Sequence, residues 1–81
     1  MKLRGSLYEG DKLLFEDMEI ELTETPRRGY SDWNGQFYLR HGPFNGEGRY
    51  TIQFDDGRRA EINVLNFGVE SGCLFHFNEW L

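Results

Sequence analysis

Five carboxylates, Glu16, Asp17, Glu19, Glu21 and Glu24, form the densest acidic stretch in the chain. Such a run can do two things. Ordered on one surface, Asp17, Glu19, Glu21 and Glu24 would imitate nucleic-acid phosphates and occupy the groove of an enzyme that binds them. Spread over a sheet, they would form cross-strand ion pairs worth tenths of a kcal/mol to about 1 kcal/mol each. The second use is favoured, because the adjoining outward positions are Lys2, Arg4 and Arg40, whose charges would cancel the field that mimicry needs.

Arg27, Arg28, Arg40, Arg58 and Arg59, with Tyr30, Trp33, Tyr38 and Phe44, have the composition of a single-strand nucleic-acid surface, where arginines neutralise phosphates and bases stack on rings. Nearby acids offset the arginine pairs: Glu24 and Asp32 beside the first, Asp55, Asp56 and Glu61 beside the second. Trp33 shares the parity of Phe37 and Leu39 and belongs with them in a core. With 14 Asp/Glu against 9 Lys/Arg, the formal charge of -5 disfavours nucleic acid and anionic membrane as partners.

Cys73, His76 and His41 are the soft or imidazole ligands of the sequence. Positions 73 and 76 point to opposite faces of an extended strand, so they neither converge on one metal nor form a thiolate-imidazole pair. Ser6, Ser31 and Ser71 suggest no nucleophile with a base beside it, and Gly46-Glu47-Gly48 lacks the following helix that a phosphate loop requires. No metal, no cofactor and no enzymatic activity are expected.

The elements that position these residues follow from a two-residue rhythm: Leu3 and Leu7; Met18, Ile20 and Leu22; Trp33, Phe37 and Leu39; Tyr50, Ile52 and Phe54; Ala60, Ile62 and Val64; Cys73, Phe75 and Phe77. Alternation of this kind describes half-buried strands. Turns fall at Glu9-Gly10-Asp11-Lys12, Asp55-Asp56-Gly57 and Glu70-Ser71-Gly72, where glycine supplies a positive φ. Two longer connections run from Thr23 to Asp32 and from His41 to Gly48. Leu13 to Met18 reads as the start of the second strand with a local irregularity. Gly5 and Gly35 occupy inward positions, which permits sharp coiling. The expectation is one all-β domain over residues 1–81, a six-stranded antiparallel meander barrel, with a two-sheet sandwich as the alternative. Its 81 residues hold one cysteine and no long apolar run, so the core holds the fold unaided, and a soluble cytoplasmic protein is expected.

At Trp33-Asn34-Gly35-Gln36-Phe37, at Tyr50 to Arg58 with its Asp56-Gly57-Arg58 turn, and at Ile62-Asn63-Val64, the chain resembles short bacterial all-β proteins with a Trp-x-Gly-x-Phe strand and an Asp-Gly-Arg hairpin. Gly5-Ser6-Leu7-Tyr8 is similar as well. The resemblance implies a small β-fold of prokaryotic or phage type and transfers no activity.

Outward parity leaves Tyr8, Tyr38, Leu65, Leu74 and Trp80 off the core, and loops add Tyr30, Phe44 and Phe67. Clustered, such residues mark a protein-binding patch; folded over a barrel end, they are plugs, the role expected of Phe44 and Trp80. The functional expectation is a non-catalytic module that binds another protein, as an adaptor or inhibitor, through Arg27, Arg28, Tyr30, Tyr38, Arg40 and Phe44. The alternatives are a phage-type inhibitor using the acidic strand and a single-strand nucleic-acid binder. The module is expected as a monomer or weak homodimer.

Overall fold

Each alternating segment forms a strand in a computed structural model that describes residues 1–38, 46, 48–68 and 72–81, with only the backbone at 66–68. The strands are β1 (Lys2–Glu9), β2 (Lys12–Pro26), β3 (Ser31–Phe37), β4 (Gly48–Phe54), β5 (Arg59–Gly68) and β6 (Gly72–Phe77). All pair antiparallel, and the sheet closes into a six-stranded barrel in the order β1-β2-β3-β6-β5-β4. No helix among the described residues is long and apolar enough to cross a membrane.

The barrel stands as expected, but the strand order corrects the meander. Four hairpins keep sequence neighbours together, whereas β3 and β4 are not adjacent: β3 lies against β6, and β4 against β1. The stretch between β3 and β4 is too long for a tight hairpin and does not force those strands to pair. The two inward glycines sit at the two seams this order creates. Gly5 lies opposite Phe54 of β4, and a Cβ there would meet the Gln53 carbonyl oxygen at 2.7 Å. Gly35 lies opposite Phe75 of β6, and a Cβ there would fall 2.1 Å from the Phe75 ring. The ring therefore fills the space that a side chain on β3 would occupy.

Alternation is obeyed in every strand. Leu7, Met18, Ile20, Leu22, Trp33, Phe37, Tyr50, Ile52, Phe54, Ala60, Ile62, Val64, Cys73, Phe75 and Phe77 are buried in one cluster, joined by Leu14, with Leu3 half-buried against it. Leu39 lies outside the described residues. No buried side-chain polar atom among the described residues lacks a hydrogen-bond partner. Trp80 closes one end as a plug: it bridges to Ala60 and meets the Trp33, Phe54 and Phe77 rings edge-on at 5.1, 5.5 and 4.9 Å, and the Arg58 guanidinium lies 4.3 Å above it. Phe44, the other expected plug, lies outside the described residues.

The irregularity at the start of β2 is a pair of bulges. Gly5 pairs with Met18, Leu7 with Phe15 and Tyr8 with Leu13, so β2 takes one extra residue at each of two steps. Asp17 adopts a left-handed φ of 53°, and Arg4 clamps it: Nε donates to Asp17 Oδ1 at 2.6 Å and Nη2 to the Asp17 carbonyl at 2.9 Å. The expected long connection from Thr23 to Asp32 is instead mostly strand. β2 and β3 stay paired from Thr23↔Asn34 to Pro26↔Ser31, leaving a short turn over Arg27, Arg28, Gly29 and Tyr30. Thr23 and Thr25 suit an extended backbone, and Pro26 is tolerated at the strand's last position.

Candidate functional site

The strand order decides which outward side chains meet. Arg27, Arg28 and Tyr30 occupy the β2–β3 turn, whereas Tyr38 follows the other end of β3, about 26 Å away along an extended chain. The structure therefore does not gather these residues into one surface. Arg40 and Phe44, expected to complete that surface, lie outside the described residues, as does His41.

At the turn, Arg27 is engaged: its Nε donates to Asp32 Oδ2 at 2.7 Å. Asp32 Oδ1 accepts from Asn78 Nδ2 at 2.6 Å and lies 3.2 Å from His76 Nε2. The Arg27 hydrogen bond, with those of His76 and Asn78, holds the Asp32 carboxyl below the ordinary carboxylate range. Arg28 and Tyr30 are exposed. Arg58 is likewise engaged, its Nε donating to Asp56 Oδ2 at 2.8 Å and its backbone N–H to Oδ1 at 3.0 Å, which lowers the Asp56 pKa. Two of the cations that phosphate binding would use are thus tied to carboxylates.

On the acidic strand, Lys2 faces Glu21 and Arg4 faces Glu19 across β1–β2, the neighbours expected from parity. Arg4's hydrogen bond and charge hold Asp17 below its ordinary value. Glu24 accepts from the Ser31 hydroxyl at 2.6 Å. Cys73 is buried in the barrel, and desolvation pushes its thiol up, disfavouring the reactive thiolate. No group of three or more His, Cys, Asp or Glu among the described residues could hold a metal ion.

A different cluster appears on the outer face of β3, β6 and β5. Gln36 of β3 pairs with Leu74 of β6, and Leu74 pairs in turn with Asn66 of β5. A bulge between Val64 and Asn66 inserts Leu65, so Leu65 and Asn66 together oppose the single Leu74. Tyr38 lies over Gly72: a Cβ on Gly72 would touch the Tyr38 ring at 2.9 Å. The Tyr38 hydroxyl accepts from Gln36 Nε2 at 2.8 Å, which ties the ring to the residue that pairs with Leu74. Tyr38, Leu65 and Leu74 remain 63%, 60% and 43% exposed.

One step along the strands, the next row is Asn34, His76 and Asn63, each opposite the next. Among the described residues the panel thus carries amides, an imidazole, a phenol and two leucines, and no Asp, Glu, Lys or Arg, in a sequence that is 28% charged. Parity identifies Tyr38, Leu65 and Leu74 as outward; the β5–β6 hairpin brings Leu65 to Leu74, but only the β3–β6 seam brings Tyr38 to them. In a meander Tyr38 would face β4, with Leu74 on a distant strand. Compared with protein-family models, with curated proteins and with solved structures, the chain matches none.

Proposed function

We propose that this chain is a non-catalytic protein-binding module, an adaptor or inhibitor of prokaryotic or phage type, and that it docks its partner on the outer face of β3, β6 and β5. The observation that carries this reading is the panel around Tyr38, Leu74 and Leu65, which holds no Asp, Glu, Lys or Arg among the described residues. Interface centres are depleted in charge and anchored by aromatic rings, and this panel has both properties. The anchor is also set in advance. Gly72 beneath the Tyr38 ring and Gln36 at its hydroxyl limit the rotamer freedom lost on binding. The engaged states of Arg27 and Arg58 favour this reading over single-strand nucleic-acid binding, and the Arg4 clamp on Asp17 favours it over phosphate mimicry.

The test compares affinity capture from host extract by the wild-type chain and by Leu74→Lys, with circular dichroism confirming that both are folded. A protein retained by the first and lost by the second is expected. Retention of the same proteins by both, or of none by either, would refute the reading.

A further inference from the structure

Resting on that reading, we infer that the partner's docking segment is both apolar and basic: leucine-like side chains seat beside Tyr38 and Leu74, and lysine or arginine side chains reach over the β2 margin. The structure favours this chemistry because the two long margins of the panel differ. On the β2 side, Glu21 stands directly opposite Gln36, and Glu19 is the next outward residue along that strand, toward Tyr38. On the β4 side, Arg49 stands opposite Asn63, but its guanidinium is tied to Glu61 at 3.1 Å, so that margin is locally balanced.

Of the two carboxylates, Glu21 is paired with the Met1 ammonium at 3.4 Å, whereas Glu19 makes no ion pair among the described residues and carries the charge of this margin. Lys2 and Arg4 are on β1, on the far side of β2 from the panel. A positive group above Gln36 or Tyr38 sits about 5 Å, one strand spacing, from the carboxylate row and about 10 Å from the β1 cations. At physiological salt, interactions between exposed charges fall off over about 8 Å, so the nearer Glu19 dominates. Arg4 is further drawn from Glu19 by its two hydrogen bonds to Asp17. At Asp32, the lower limit of the panel, Arg27 supplies the balancing charge. Among the described residues the panel is therefore apolar and neutral at its centre and negative at Glu19 on its β2 side, beside Tyr38, which complements an amphipathic basic segment.

The test is a titration of isotope-labelled protein, followed by amide chemical shifts, with three short synthetic peptides of identical leucine pattern carrying lysine, glutamine or glutamate at the polar positions. Expected are shifts at Gln36, Leu74, Leu65, Glu19 and Glu21 with the lysine peptide, at least about tenfold weaker binding of the glutamate peptide, and loss of that preference in Glu19→Gln/Glu21→Gln. Equal binding of the three peptides at Leu74 and Gln36 would overturn the charge preference while leaving the docking panel in place. Shifts confined to β1 and β2, or no shifts with any peptide, would overturn the inference together with the panel itself.

Discussion

Alanine at Gly35 is the sharpest probe of the β3–β6 seam. The added methyl would lie 2.1 Å from Cζ and 2.5 Å from Cε1 of Phe75, so the ring must retreat by about 1.5 Å to restore ordinary contact. Retreat is blocked, because Phe75 is buried with Phe37 and Phe77 at centroid distances of 5.7 and 6.3 Å. Overpacking of this kind costs about 1–3 kcal/mol, and a backbone-adjacent clash places Gly35→Ala near the top of that range. A chain of this size is stable by about 4–12 kcal/mol, and each kcal/mol shifts Tm by about 4–8 °C, so a fall of about 10–20 °C is expected. Chemical denaturation followed by tryptophan fluorescence reads the change in free energy. In a Phe75→Leu background the smaller side chain makes room, and the same glycine substitution should then cost at least about 1 kcal/mol less. A cost below about 0.5 kcal/mol for Gly35→Ala alone, or full additivity of the two changes, would refute the packing of Phe75 on Gly35.

Trp80→Ala removes three edge contacts and the ring beneath Arg58, and denaturation should show a loss of about 2–4 kcal/mol with a changed Trp33 emission. Asp17→Asn and Asp17→Gly should retain more stability than Asp17→Ala, and Asp17→Val the least, since the left-handed φ is easiest for glycine and asparagine; thermal melts give the ranking. Asp17, Asp32 and Asp56 are held below their ordinary range when folded, so their contribution is complete above about pH 4 and is lost as pH falls through the folded values. Melts from pH 6 to 2 should show that decline, shallower in Asp32→Asn. Cys73 should resist a thiol reagent in the native protein and react once denatured, as absorbance of the released chromophore reports.

Much of this fold is legible from parity, because closing a sheet around apolar side chains leaves each strand a single inward register. Trp33, Tyr50 and Cys73 fall inside for that reason, and Lys2 and Arg4 meet the β2 carboxylates. The special role of Gly5 and Gly35 is legible too, since a missing side chain at an inward position signals a close approach. What approaches them is not. The partners across the seams, Phe54 and Phe75, are far away in the chain, and no local pattern names them. The candidate site inherits that gap. Tyr38, Leu74 and Leu65 each read as outward, but their adjacency depends on the β3–β6 pairing and on the bulge at Leu65. The bounds of the β2–β3 turn are less legible, because Pro26 and Gly29 signal a break while the threonines before them extend the strand almost to it.

The strand order also bears on how the barrel comes together. The chain divides into two local three-stranded units, β1-β2-β3 and β4-β5-β6, whose hairpins can form in about microseconds. The seams that join them unite residues as distant as 5 with 54 and 33 with 77, so loop-closure entropy is lost before those contacts reward it. Docking of the two units is then the slow step, on a scale of about milliseconds to seconds. Until it occurs, each unit carries two bare edges, and the matching half of a second molecule fits those edges as well as its own does, which makes domain-swapped dimers the natural misassembly of this topology.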